Sequence, residues 1–449
     1  MGMIWILEII SLVLGIILFG IEVLKLKFKN FIPSMFLLLY VPLFCISPFL
    51  YHFLIGGALT IDHKVEGLIF TDPRIYVIYH LYNIFLLFSF LVASKFFNSY
   101  KEPKQIVAST TTLQQRIIFF LLLLTGIYLY VYSTGLSVFE LLVADRFIWF
   151  ENASYSSFYS VLASYFISLT PLLFFLYYKE KKYFFLIITL LLLLIYGILS
   201  KDRKWIIFMI SGAVAAKYYL NGNRLVFKPK ILIFSLIFGM ILVFWQIFRD
   251  VLFTELVTGR GDFMGHAMEM GEKLIMQGDF PYYYFSSMTA IKMNFIDGFD
   301  IPLGIIRRQI FFLVPVDYSF GLKIKDISAI FSDALDAGDQ VRGGNMPPGL
   351  IGLFVLSFNW WLGLLFFTVI PFVLFYIDKI ALTYTSSFQP VIYSNCFSFM
   401  VLLLRGDDSS AFYFCIFNFG IFFLIRNILA KRKLTFRQRS ASAQSNRIR

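Results

Sequence analysis

The sequence predicts an all-α, multi-pass membrane protein. Of 449 residues, 59% are hydrophobic and 15% are charged, whereas a soluble domain has roughly 45–50% and about 25%. The apolar residues form long runs, such as 117–132 and 183–199, that are apolar on every face. Such runs favour spanning helices over the alternating strands of a β-barrel. The composition therefore excludes a soluble protein.

A spanning helix needs about 20 apolar residues, and this length divides the chain into about eleven predicted spans. They lie near 4–24, 31–53, 75–97, 117–133, 157–178, 183–199, 205–220, 231–248, 349–377, 387–404 and 411–428. We therefore expect a first membrane part over 1–248, a long loop over 249–348, a second membrane part over 349–428 and a basic cytoplasmic tail over 429–449.

The basic residues predict the orientation. There are 39 Lys and Arg against 27 Asp and Glu, a net charge of +12, and most of the cations flank apolar runs. One orientation places nearly every short basic segment in the cytoplasm, where Lys and Arg are enriched. These segments include Lys25–Lys29, Lys95–Arg116, Lys179–Lys182, Lys217–Lys230 and the tail. The amino terminus is then outside, and the charge calls for no nucleic-acid partner.

The same orientation sends the segment 249–348 to the outer face. About 100 residues is too long for a simple connection, and the segment keeps apolar and aromatic residues. We expect it to form short helices that lie on the bilayer.

No cofactor or metal is expected. Three cysteines without CxxC spacing and four scattered histidines suggest no ligand set. Asp333, Asp336 and Asp339 recur three apart, but Gly344 stands where a calcium loop needs its bidentate Glu.

Three clusters of charge on the outer face depart from the topology rule. They are Ser200–Lys204 with Arg203 and Lys204, the pair Arg307 and Arg308, and Arg405 with Asp407 and Asp408. A mispredicted hairpin, snorkelling to lipid phosphate and a solvated turn would explain them without a function. Together, however, several guanidinium groups would form a cationic cavity that holds a lipid diphosphate and stabilises it as a leaving group.

Tyr282, Tyr283 and Tyr284 lie in the long outer segment. Their flat rings are candidates for stacking against sugars. An interfacial aromatic belt would contain the same residues, so both interpretations stay open.

These clusters give the chain a resemblance to the Wzy-type O-antigen and oligosaccharide repeat unit polymerases. The similarity lies in the Ser200–Lys204 turn, in Ile306–Pro315, in Met346–Gly352 and in Arg405 followed by Asp407 and Asp408. It covers roughly residues 180–425, and the first half of the chain matches in hydropathy alone.

The resemblance implies a GT-C-like, metal-independent glycosyltransferase in the bacterial inner membrane, with its active site facing the periplasm. Its substrates would be undecaprenyl-diphosphate-linked glycans, its other partners membrane lipids and a chain-length regulator. Arg203, Lys204, Arg307, Arg308 and Arg405 would then bind the diphosphate. The base for the acceptor hydroxyl is left open among Asp407, Asp408 and Asp317.

Three alternatives remain. An O-antigen ligase uses the same donor and would present a histidine in the outer loop, where His266 is available. A polyprenyl-phosphate-sugar glycosyltransferase would need paired acidic residues, whereas Asp62, Glu66 and Asp72 are separated. A flippase or exporter of lipid-linked oligosaccharide would have charges lining a central cavity and short outer loops.

Overall fold

A computed structural model describes the following residues: 2–21, 30–50, 72–97, 112–143, 157–200, 204–221, 265, 279–311, 320–322, 324, 327–335, 347–383, 389–406, 413–414 and 416–425. Within these residues the chain forms helices and turns and contains no β-strand. Several of the helices are long and apolar enough to cross a bilayer. The protein is therefore a multi-pass membrane protein, and its described part is all-helical.

The helices are numbered in chain order. They are α1 (Gly2–Gly20), α2 (Phe31–Tyr40), α3 (Pro73–Phe97), α4 (Leu113–Thr134), α5 (Val138–Val143), α6 (Ser157–Ile167), α7 (Thr170–Lys179), α8 (Tyr183–Ser200), α9 (Lys204–Leu220), α10 (Asp279–Phe295), α11 (Gly304–Phe311), α12 (Ile327–Ala334), α13 (Gly349–Phe358), α14 (Trp360–Thr383), α15 (Gln389–Arg405) and α16 (Ile416–Ile425).

Among the described residues, six helical stretches have the length and hydropathy of a membrane span. They are Phe31–Leu50, Pro73–Phe97, Leu113–Thr134, Leu162–Lys179, Tyr183–Ser200 and Trp360–Ala381. Shorter apolar helices occur in α1, α9, α13, α15 and α16. The span predicted near 231–248 lies outside the described residues.

Prolines interrupt two of the predicted spans. Pro42 follows the end of α2, and Val41–Ile46 adopts a π-helix there because proline has no N–H to donate to the ladder. Pro171 lies at the start of α7, after a two-residue break from α6. The Thr170 hydroxyl donates at 2.6 Å to the carbonyl of Ile167, the acceptor that the missing proline N–H leaves free.

Side chains from α15 and α16 satisfy the backbone at the break between α6 and α7. Asn418 Nδ2 donates to the carbonyl of Ser168 at 2.7 Å and to Asn395 Oδ1 at 2.8 Å. All three residues are buried. Such bonds are required because water is not present in the bilayer core to replace them. The break therefore joins α6 and α7 to the carboxyl-terminal helices.

One end of the bundle contains the basic turns that the sequence assigns to the cytoplasm, and we call it the basic end. Arg116 Nη2 lies 3.1 Å from Glu180 Oε2. Lys179 Nζ lies 4.6 Å from the centre of the Tyr219 ring. The start of α4 and the ends of α7 and α9 thus lie together, the arrangement that the predicted topology requires.

Helix α2 also begins at the basic end, and its first turn has a distant acceptor. Asn30 at the N-cap makes no side-chain capping bond. Instead, the N–H of Ile32 donates to Asp378 Oδ1 of α14 at 3.1 Å, and the Asp378 side chain is buried. The Phe31 ring packs 4.5 Å from that of Tyr218 in α9. A carboxylate near the amino end of a helix is stabilising there.

Helix α10 lies inside the bundle and packs between α3 and α13. The Tyr284 ring lies 5.0 Å from that of Tyr79 in α3. A Cβ on Gly352 would lie 2.8 Å from the Ala290 Cβ, so small residues allow α10 and α13 to approach closely. For α10, the prediction that this segment lies on the bilayer surface is therefore wrong.

Helices α13 and α14 replace the single span predicted over 349–377. Asn359 ends α13 with a φ of 65° and a ψ of 159°, a backbone conformation that residues other than glycine rarely adopt. The Phe354 and Phe367 rings lie 5.3 Å apart, so the two helices fold back on each other. Tyr82 of α3 donates its hydroxyl to the carbonyl of Trp360 at 2.6 Å. This turn lies at the end opposite the basic end.

Helix α3 starts at this opposite end with a local cap. Asp72 accepts the backbone N–H of Arg74 at 2.9 Å and its Nε at 3.0 Å, and Pro73 occupies the first helical position. Hydrogen bonds from the Arg74 side chain and backbone hold the pKa of Asp72 below its usual value. The Arg74 guanidinium also lies 5.3 Å from the Phe295 ring centre, which ties α3 to the end of α10.

Candidate functional site

Helices α9 and α15 run antiparallel, which decides where Arg405 lies. Ser211 Oγ is 2.6 Å from Ser398 Oγ, and the Tyr218 and Tyr393 rings are 5.5 Å apart. The first residue of α9 stands seven residues before Ser211, and the last residue of α15 stands seven after Ser398. The amino end of α9 and Arg405 therefore lie at the same level of the bundle.

A contact between two glycines joins the end of α15 to the start of α13. Gly406 has a φ of 90°, and a Cβ there would lie 2.8 Å from the Gly349 nitrogen. Gly349 has a φ of 70°, and its Cβ would lie 2.6 Å from Ser287 Oγ. Glycine is required at both positions because a side chain would meet backbone or helix α10. The half-buried Arg405 precedes this contact directly.

Two hydrogen bonds connect the α11–α12 region, which contains Arg307 and Arg308, to Gly406 and to the chain that follows it. Ser328, in the first turn of α12, donates its hydroxyl to the Gly406 carbonyl at 3.4 Å. Tyr413 donates its hydroxyl in a short hydrogen bond to the carbonyl of Gln309 in α11. The structure therefore joins the first turn of α12 to the end of α15, and it joins α11 to Tyr413, about 100 residues further along the chain.

Arg307 and Arg308 point in different directions, since consecutive helical residues are about 100° apart. At the surface, Arg307 donates from Nε to the carbonyl of Leu322 at 3.1 Å and from Nη2 to that of Gly321 at 3.3 Å. Arg308 donates from Nη1 to the carbonyl of Ile324 at 3.2 Å, and its Nε is buried. Both side chains therefore bind the turn after α11, Arg307 from the surface and Arg308 from a partly buried position.

The amino ends of three helices add positive charge to that of the arginines. Helix α12 begins one residue before Ser328, α13 begins at Gly349, and α9 begins at the level of Arg405. Each helix amino end carries a partial charge of roughly +0.5, and its free N–H groups bind anions. Arg405 lies in the last turn of α15. Its positive charge there interacts favourably with the negative carboxyl end of the helix dipole. The arrangement is suited to an anionic ligand.

Other predicted site residues lie outside the described part of the chain. These are Arg203, Asp317, Asp407, Asp408 and the alternative His266, as well as Asp336 and Asp339. Lys204 starts α9 and Tyr282 belongs to α10, but their side chains are not among those described. Asp333 is exposed on α12.

The described tyrosines of the proposed sugar platform are in the core. Tyr283 is 6% exposed and Tyr284 is fully buried. The Tyr283 ring lies 6.5 Å from Phe44, and the Tyr284 ring packs edge-on against Tyr79. Because α10 inserts between α3 and α13, these two rings pack against helices and do not present an open face to a sugar.

Four residues hold the site together, and the sequence assigned a role in the site to none of them. They are Ser328, Gly349, Gly406 and Tyr413. The two glycines had a detectable signal, because each stands where a charged or proline-rich turn meets an apolar run. Ser328 and Tyr413 had none, since their partners are distant backbone carbonyls.

Comparison of the chain with protein-family models, with curated protein sequences and with solved structures gives no match. The geometry of the site and the pattern of the sequence therefore carry the functional argument.

Proposed function

We propose that the protein polymerises undecaprenyl-diphosphate-linked oligosaccharide repeat units, such as those of O-antigen, by glycosyl transfer at the periplasmic face of the bacterial inner membrane. In this proposal the chain crosses the membrane about eleven times. The basic end faces the cytoplasm, and the opposite end, with α11 and the turn that follows it, faces the periplasm.

The observation that carries the proposal is the convergence around Gly406. The end of α15 with Arg405, the start of α13 and the first turn of α12 meet there, and α9 starts at the same level. Tyr413, seven residues after Gly406, bonds to Gln309, the neighbour of Arg308. Arg203 precedes the first residue of α9 by one position. A diphosphate at the membrane surface matches such a cluster in charge and in the bidentate geometry that guanidinium groups prefer.

In the proposed reaction, a sugar hydroxyl of the acceptor repeat unit attacks the anomeric carbon of the donor glycan. The bond from that carbon to the diphosphate oxygen breaks, and undecaprenyl diphosphate leaves. Guanidinium groups of Arg203, Arg308 and Arg405 stabilise the charge that develops on the leaving group. A carboxylate among Asp407, Asp408 and Asp317 takes the hydroxyl proton.

The test is incubation of the purified protein with lipid-linked repeat units, with and without a chelator of divalent cations. We expect a ladder of lipid-linked chains, released undecaprenyl diphosphate and no effect of the chelator. A ladder that disappears with the chelator would contradict the metal-independent mechanism.

The same assay with lipid A core as acceptor separates the alternatives. Transfer to lipid A core without chain growth would replace the polymerase with a ligase, and His266→Ala would then stop the reaction. Absence of any new glycosidic bond, with movement of the lipid across proteoliposome membranes, would identify a flippase.

A further inference from the structure

An exposed apolar surface surrounds Arg307. It consists of Leu303, Ile306 and Ile310 on one side of α11 and of Phe320 and Leu322 in the following turn. Phe320 is 92% exposed and Ile310 is 63% exposed. Arg307 joins the two parts because its guanidinium donates to the carbonyls of Gly321 and Leu322. We call these five residues the apolar surface.

Two of its residues have an unfavourable backbone conformation. Leu303 has a φ of 54° and Phe320 a φ of 50°, values that are uncommon for bulky residues. Such a conformation costs about 1–3 kcal/mol and persists where the surroundings or a function maintain it. Here the strain holds two large apolar side chains outward. The exposure is therefore a built feature of the turn.

The apolar surface lies at the depth where a predicted span enters the bilayer. The N–H of Ile305 in α11 lies 3.3 Å from Ser357 Oγ of α13, and the N–H of Ile301 donates to the carbonyl of Leu356 at 2.7 Å. Two residues after Ser357 the chain turns at Asn359 and enters the spanning stretch of α14. Large apolar side chains at this depth meet the boundary between headgroups and acyl chains.

The charge at its centre specifies the occupant. Arg307 donates to the neutral carbonyls of Gly321 and Leu322, which orient the guanidinium without cancelling its charge. A cation ringed by apolar side chains matches a lipid with an anionic phosphate above and acyl chains below. We propose that the apolar surface binds the phospholipid leaflet, with Arg307 on the phosphate of an anionic lipid. Arg307 then anchors α11, and Arg308 alone of the pair faces the site.

The first experiment measures immersion in the full-length protein in nanodiscs. Cys45, Cys396 and Cys415 are replaced by alanine, and a nitroxide label is attached at Phe320→Cys or Ile310→Cys. Both labels should collide with oxygen more than with a water-soluble nickel chelate. Asp297→Cys, at an exposed polar position in the turn after α10, is the control and should show the reverse. The proposal would be overturned if the labels at 310 and 320 collided with the nickel chelate as often as the control label does. It would also be overturned if a second copy of the chain shielded these labels from both reagents.

The second experiment measures lipid selectivity and needs no enzymatic activity, so it stays separate from the proposed polymerase. Phosphatidylglycerol and phosphatidylcholine are titrated onto detergent-solubilised protein, and the rise in melting temperature is recorded. Arg307→Gln should weaken the preference for phosphatidylglycerol about five-fold. Arg74→Gln, which removes an arginine at the same end, should retain it. An equal loss in both variants, or in neither, would contradict the role of Arg307.

Discussion

Arg116 and Arg308, one at each end of the bundle, meet different partners. Arg116 pairs with the carboxylate of Glu180 at 3.1 Å, and the two side chains are only 11% and 4% exposed. Arg308 donates to the carbonyl of Ile324. The carboxylate of Glu180 offsets the charge of the Arg116 guanidinium, so this pair serves stability. In the proposed function, Arg308 instead binds the diphosphate.

The largest expected effect is on catalysis at the opposite end. Arg308→Ala should lower polymer formation by at least about 100-fold, because one donor to the developing charge is lost. Arg308→Lys should recover little, since lysine cannot bind bidentately. Arg203→Ala and Arg405→Ala should behave alike. Chain length and yield are measured in membranes, with Arg74→Ala as the control. Full ladders from all three alanine variants would refute the diphosphate site.

The next effect tests the glycine contact that holds Arg405 beside α13. Gly406→Ala should destabilise the protein by about 1–3 kcal/mol from the left-handed φ alone, and the contact with Gly349 adds to it. Thermal unfolding in detergent measures the loss. Gly420→Ala is the matched control because a Cβ there meets no atom within 4 Å. Equal melting temperatures for both variants would show that the contact is not required.

A smaller effect is expected at the basic end. Glu180→Gln removes the carboxylate from Arg116 and should cost about 1–3 kcal/mol, since a nearly buried charge loses its partner. Activity per folded molecule should stay unchanged. A double-mutant cycle with Arg116→Met isolates the pair. If Glu180→Gln lowered the activity of the folded protein but not its stability, a structural role of the Arg116–Glu180 pair would be contradicted.

The smallest effect concerns the ion pair between the Asp72 carboxylate and the Arg74 guanidinium, at the end of the bundle opposite the basic end. The pKa of Asp72 is lowered in the folded state, so the pair stabilises the fold above the unfolded pKa of about 3.9. That contribution is lost as the pH falls through the lower folded pKa. The melting-temperature difference between wild type and Asp72→Asn should therefore be constant from pH 7 to 5. A difference that vanishes within that range would refute this assignment.

The helical membrane architecture was predictable because it depends on composition and local runs. Uninterrupted apolar stretches and cation-rich turns are local, and the structure places Arg116 and the 179–182 turn at one end as the charge pattern requires. The break before Pro171 was not predicted, since one span was expected over 157–178. A proline inside an apolar run does not decide the matter alone, because Pro371 lies within the continuous α14.

The position of α10 could not be predicted. A run such as Tyr283–Phe285 fits an interfacial helix and a buried helix equally well, and the choice depends on α13, whose Gly349 and Gly352 make room for it. The candidate site was predictable only as a set of arginines. The different orientations of Arg307 and Arg308 follow from contacts with a turn that no local pattern specifies.

The bond from the N–H of Ile32 to Asp378 also affects the order of biosynthesis. Its donor and acceptor are 346 residues apart in the chain, and a ribosome adds about 5–20 residues per second. For roughly 20–70 s the first turn of α2 is made but has no acceptor in the protein. During that time the Phe31–Leu50 stretch can leave the insertion machinery but cannot complete its docking. Nascent chains stalled before Asp378 should therefore remain accessible to membrane proteases.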